Sequence, residues 1–216
     1  MYNGRVTVAG PADVRELPGL VISKIAVGPY NNNAYLLRCR ATGASLMIDA
    51  AAEPERLLAL LGDGRLDYVL TTHRHADHWQ ALADVVAATG ARTVAGSVDA
   101  DQIPVATDLR VTGGDSLQFG DIRLDLIELS GHTEGSISVL YDDPEGHPHV
   151  FTGDCLFPGG IGRTTSPGDF DSLYTGVSGR LFDRLPDETW VYPGHGWDTT
   201  IGAERPHLAE WRERGW

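Results

Sequence analysis

The sequence predicts an α/β fold in which two sheets lie face to face with helices outside them. Three observations carry that expectation. Short β-branched and apolar runs alternate with turn-rich segments, leucines at helical spacing fall between some of those runs, and strands followed by helices occur in both halves of the chain. A chain of 216 residues can bury a substantial core without staples, so a single domain over 1–216 is expected.

Residues 20–27, 34–39 and 45–48 read as early strands of an antiparallel sheet, separated by the turn-rich "GPYNNN" and "RATG". "AAEPERLLALLG" has leucines at helical spacing and stops at Gly62, and "LDYVLTT" reads as a buried strand ending at His73. From Asp77 to Thr89 one helical face is apolar, with Gly90 placed to end the helix. "RTVAG", "SLQF", the alternating Ile122, Leu124 and Leu126, "SISVLY" and "HVFTG" are further strands. A helix from Asp171 to Arg184, a strand "TWVYP" and a short helix near "ERPHLAEWRE" close the chain.

Seventeen basic against thirty acidic residues leave a net charge of −13, which repels phosphate backbones and anionic membrane surfaces. Nucleic acid and membrane are therefore poor partners. No stretch approaches the length needed to span a bilayer and the N-terminus lacks an apolar run, so a soluble cytoplasmic protein is expected, monomer or homodimer. Cys39 and Cys155, the only cysteines, read as buried thiols, and Lys24 is the only lysine.

The chemistry concentrates in "HRHADH" at 73–78, directly after a predicted strand. Residues i and i+2 of an extended chain project the same way, so His73 and His75 can converge with the Asp77 and His78 pair on one small volume. Imidazole and carboxylate are shared ligands of zinc, iron and manganese. The bland alternative is a helix start capped by Asp77 with exposed histidines. Against it stand His132, Asp154 and His195, each ending its own apolar run, where scaffolds place functional groups.

Through "HRHADH", "GHTEGS" at 131–136, "FTGDCLF" at 151–157 and "YPGH" at 192–195, the chain resembles the metallo-β-lactamase-fold hydrolases. The resemblance implies a four-layer αββα sandwich of two mixed sheets with two divalent metal ions at the sheet ends, zinc first and iron second. One ion would be held by His73, His75 and His132, the other by Asp77, His78 and His195, with Asp154 bridging. Asp77 and Asp154 are thereby the catalytic carboxylates, and a metal-bridging hydroxide is the implied nucleophile. Asp49 in "LMIDAA" would orient a ligand histidine through its free ring N–H, the other reading being a simple turn residue.

"GHTEGS" followed by "FTGDCLFPGGIGRT" looks most like glyoxalase II, which implies a thioesterase acting on small-molecule S-acyl conjugates of glutathione or mycothiol. Arg163 falls where that family has a thiol-binding lysine; a surface salt bridge is its other reading. Thr165 replaces a family tyrosine. Only 21 residues follow His195, so no additional C-terminal helical domain is expected. A mononuclear-iron persulfide dioxygenase and a lactonase of the same fold are the alternatives. His147 and His149 read as exposed loop residues, His207 as part of the closing helix, and Cys155 as structural. Gly159, Gly160 and Gly162 form a loop beside the site, Tyr30 and Asn31 to Asn33 an overhanging hairpin loop, and Trp197, Trp211 and Trp216 a cap.

Overall fold

In the computed structural model, which describes residues 2–215, the first half of the chain builds one seven-stranded mixed sheet. Its strands lie side by side in chain order: β1 (Asp13–Glu16), β2 (Leu20–Val27), β3 (Asn32–Cys39), β4 (Ser45–Ile48), β5 (Tyr68–Thr71), β6 (Arg92–Gly96) and β7 (Leu109–Val111). β1 to β4 pair antiparallel, as expected for the early strands, and β4 to β7 pair parallel.

The second half supplies β8 (Ser116–Phe119), β9 (Ile122–Glu128), β10 (Ile137–Tyr141), β11 (His149–Gly153), the two-stranded hairpin β12 (Leu156–Phe157) and β13 (Gly160–Ile161), then β14 (Trp190–Pro193) and β15 (Thr199–Thr200). Apart from the hairpin these form a six-stranded sheet, antiparallel except where β11 pairs with β14.

Three buried clusters define four layers. Leu37, Leu46, Ile48, Leu70 and Val94 of the first sheet meet Leu124, Leu126, Val139 and Phe151 of the second between the sheets. On the far face of the first sheet, Leu36, Met47, Val69 and Ala95 pack against α1 (Pro54–Leu61) and α2 (Leu82–Thr89). Val150 and Val191 on the far face of the second sheet pack against α3 (Pro167–Val177) and Trp211, a buried residue of α5 (Leu208–Arg214), with the short α4 (Ile201–Glu204) between them in sequence. Strands buried on both faces cannot alternate apolar and polar residues, which is why Leu46 to Ile48 and Tyr68 to Leu70 run without a polar break.

Two helices differ from their sequence-based bounds. The expected helix from Asp77 is a tight 3-10 turn at Ala76–His78, and α2 begins only at Leu82, because the ligand loop must turn back on itself and the Ala81 N–H is spent on the Ala50 carbonyl at 3.0 Å. Gly90 ends α2 in the left-handed region, as expected. α3 starts at Pro167, ahead of Asp171, since the Ser166 hydroxyl caps it by accepting from the Asp169 N–H at 3.1 Å and Pro167 fits the first turn. It ends at Val177 and continues as a wider π-type turn over Ser178–Phe182.

Cys39 and Cys155 are buried free thiols. His149 corrects its reading as an exposed loop residue: it opens β11 and is fully buried, because strand pairing with Tyr141 draws it inside. Trp197 is exposed rather than capping, Trp211 is buried under α5's neighbours, and Trp216 lies outside the described residues. No helix among the described residues is long and apolar enough to cross a membrane.

Candidate metal centre

Strand direction gathers the chemistry on one edge of the sandwich. β4, β5 and β6 are parallel, so Asp49, the loop from Thr72 to His78 and the segment after Gly96 leave the same edge. β9, β11 and β14 likewise point one way and deliver His132, Asp154 and His195. The two edges are stitched together where Asn32 bridges to His195 and the Asn33 N–H donates to the Gly194 carbonyl at 2.7 Å.

All seven residues singled out as ligands meet there. One potential ligand atom each of His73, His75 and His132 lies within 4.8 Å of the others, and the same holds for Asp77, His78 and His195 and for His73, His78 and Asp154. The His73 Nε2 to His75 Nδ1 separation is 3.1 Å and the His78 Nε2 to His195 Nε2 separation 3.3 Å. Asp154 lies between the two sets, its Oδ2 at 3.6 Å from His132 Nε2 and 3.4 Å from His195 Nε2. Such proximity requires Gly194, whose added Cβ would collide with the Asp154 carboxylate.

Partners behind the rings fix their tautomers. His132 Nδ1–H donates to the Arg163 carbonyl at 2.8 Å, and His195 Nδ1–H to the Tyr30 carbonyl at 2.9 Å. His78 Nδ1–H donates to Asp49 Oδ2 at 2.8 Å. The Thr72 hydroxyl gives its proton to Asp49 at 2.8 Å and so accepts from His73 Nδ1–H at 3.0 Å. When neutral, each of these rings presents its Nε2 lone pair inward.

Electrostatics follow from this crowding. Burial, followed by the neighbouring His78, holds His73 well below the usual imidazole range. Burial opposes charge on His78 too, but Asp49 and Asp154 outweigh it and raise that ring to about 10; burial also opposes charge on His195, which Asp154 and Asp77 raise to about 9. The His195 ring and the Asn32 amide outweigh partial burial and hold Asp77 far below the usual carboxylate range. Burial works against the Asp154 anion as well, yet the rings of His195 and His78 hold its carboxyl pKa well below the ordinary value.

The residues fit divalent cations. His132 Nε2 and Asp154 Oδ1 are buried without a hydrogen-bond partner, four imidazole lone pairs are oriented inward by acceptors behind them, and the donors are the nitrogen and carboxylate oxygen that such ions take.

Asp49 sits against His78, where an orienting role required it. Arg163 is brought to the site by its backbone: its carbonyl holds His132, while its side chain is exposed. Tyr30 overhangs the centre and is largely exposed, whereas Asn32 and Asn33 are buried and brace it. Thr72 and Asp99 escaped the sequence reading, and Asn32 and Lys24 were noted there without these bracing roles. Lys24 is buried against Asp198 at 2.5 Å and donates to the Gly196 carbonyl at 2.8 Å, tying down the segment after His195; a lone lysine inside an apolar strand was its available signal. Among the described residues, His147 and His207 belong to none of the candidate ligand clusters.

Comparison with known proteins agrees with this arrangement. A family model described as the metallo-beta-lactamase superfamily matches residues 27–195. A hydroxyacylglutathione hydrolase of a Polaromonas species is 35% identical over 179 residues, covering 82% of this chain and 66% of the relative, so the chain spans slightly less than two thirds of that protein. The crystal structure of ETHE1 from Myxococcus xanthus superposes with a TM-score of 0.77 at 33% identity, covering 89% of this chain and 84% of that one. TTHA1623, crystallised in a di-iron-bound form, superposes with a TM-score of 0.71 at 33% identity over 84% of this chain and 96% of its own. With the family match running from the end of β2 to His195, through every candidate ligand, the chain belongs to the metallo-beta-lactamase superfamily.

Proposed function

We propose that this protein is a two-metal hydrolase of thioesters, acting on S-acyl conjugates of a low-molecular-weight thiol such as glutathione or mycothiol. The observation that carries the reading is Asp154, a nearly buried carboxylate set between two three-residue clusters. His73, His75 and His132 would hold one ion, Asp77, His78 and His195 the other, and Asp154 both, with zinc the expected metal. When bound, such ions supply Lewis acidity and lower the pKa of water toward neutrality.

The chain's own groups favour a thioester over an amide. As ligands, Asp77 and Asp154 would both be ionised, so they would contribute fixed charge and geometry and be poor proton donors. A departing amine must be protonated, whereas a thiolate, whose conjugate acid has a pKa of about 8.5, leaves unassisted. Beside His75 and His132 a cavity of about 340 Å³, lined by Arg74, Ser130, Thr165 and Asp169 among others, gives room for the thiol carrier. The exposed Arg163 side chain, two positions before Thr165 of that lining, would take a carboxylate or carbonyl of that carrier. The relatives named hydroxyacylglutathione hydrolase support the same chemistry.

Elemental analysis of protein purified without added metal, followed by an assay of S-acyl glutathione and S-acyl mycothiol, tests the reading. Two zinc-like ions per chain and thioester cleavage that Asp154→Ala abolishes without unfolding the protein are expected. One iron per chain with oxygen uptake would replace it by the dioxygenase, and unchanged turnover in Asp154→Ala would remove Asp154 from its role.

A further inference from the structure

Asp99 lies beyond the end of β6, fully buried, and ligates nothing. Four donors from two separate loops end on its carboxylate. From the "HRHADH" loop, the Arg74 N–H donates to Oδ2 at 3.0 Å and the Arg74 guanidinium to Oδ1 at 3.2 Å. From the "GHTEGS" loop, the Thr133 hydroxyl donates to Oδ2 at 2.6 Å and the Gly135 N–H to Oδ1 at 3.1 Å. Each oxygen thus takes one bond from each loop. Gly135 has to be glycine for this approach, because a Cβ there would lie 2.7 Å from the Asp99 nitrogen.

These two loops carry His73, His75 and His132. Arg74 stands between the first two and Thr133 follows the third, so the carboxylate spans the cluster from behind. The three rings sit edge to face with centroids 4.6 to 4.9 Å apart. The other cluster is braced differently, by Asp49 on His78, by Asn32 on Asp77 and by the Tyr30 carbonyl on His195.

We infer that Asp99 is a positioning residue that sets the His73, His75 and His132 cluster and tunes metal affinity there, independently of the Asp77, His78 and His195 cluster. The inference rests on the metal-centre reading given above but not on the identity of the substrate. Asparagine in its place would turn an amide NH2 toward two existing donors, so half of the clamp would become donor against donor.

The test is zinc affinity measured by competition with a chromophoric chelator in two single-site backgrounds. In His195→Ala, which leaves the His73, His75 and His132 cluster, adding Asp99→Asn should weaken zinc binding by about 10- to 100-fold, the usual effect of losing an outer partner of a metal ligand. In His132→Ala, which leaves the other cluster, the same change should move affinity by about twofold at most. Thr133→Val should reproduce the selective loss in smaller measure and Thr133→Ser should restore it, with circular dichroism unchanged in all. Equal losses in both backgrounds, or none in the first, would overturn the inference. Zinc binding by the unmodified chain, read from the same titration, tests the metal centre itself, so the two failures are distinguishable.

Discussion

Asp49 occupies the left-handed region at φ 57°, a conformation that costs a non-glycine residue energy and persists only where surroundings hold it. Here its carboxylate accepts from the Thr72 N–H at 2.7 Å, the Thr72 hydroxyl at 2.8 Å and His78 Nδ1–H at 2.8 Å. One side chain thus orients two of the histidines, His78 directly and His73 through Thr72. Asp49→Asn would set an amide donor against ring and hydroxyl donors, and a 10- to 100-fold loss of zinc affinity is expected in chelator competition. His149 makes a second residue-scale prediction. Its ring is held to about 3, chiefly by burial and then by His147 and Arg15, against about 6.5 in an unfolded chain. The unfolded state therefore binds the proton first, and the stability contributed by neutral His149 is complete above pH 6.5 and lost as pH falls toward 3. Denaturant unfolding should show the wild type losing about 2 kcal/mol more than His149→Gln between pH 7 and 5.

At the scale of elements, α3 shows local chemistry deciding a boundary. Ser166 and Asp169 exchange bonds, the Asp169 N–H to the Ser166 oxygen and the Ser166 hydroxyl to Asp169 Oδ2 at 2.8 Å. Ser166→Ala should cost about 1 kcal/mol in chemical denaturation and leave zinc affinity unchanged, because no ligand lies on the helix. This start was legible in "SPGD", although the expected helix began only at Asp171. The missed strands β7, β12, β13 and β15 are three residues or shorter, too short for a period to declare itself, and the four-residue β1, "DVRE", lacks the apolar run that marks β4 and β5. The broken helix after His75 has a different cause: its sequence is helical by pattern, and the demand of the ligand loop overrides it.

For the whole molecule, the centre lies across the joint between the two halves of the chain. Candidate ligands from β5's loop in one sheet and from the ends of β9, β11 and β14 in the other face the same volume. Bound metal would therefore cross-link the sheets, and binding to the folded state alone raises stability by mass action. Prolonged chelation should lower the thermal midpoint, and readdition of zinc should restore it; a midpoint indifferent to both would contradict a metal held between the sheets.

The sequence by itself determined the composition of the centre and the order of the fold, because His73, His75, Asp77, His78, His132, Asp154 and His195 each follow an apolar run whose end is visible in one dimension. The layers were legible for the same reason. Tertiary structure decided which backbone carbonyls face His132 and His195, that Asp99 joins two loops whose Arg74 and Thr133 stand 59 positions apart in sequence, and that His149 is inside. Those facts depend on distances between strands remote in the chain, and hydrogen bonds to backbone carbonyls are written in no side chain. Ligand identity is a property of residues, whereas ligand orientation is a property of the packed sheets that hold them.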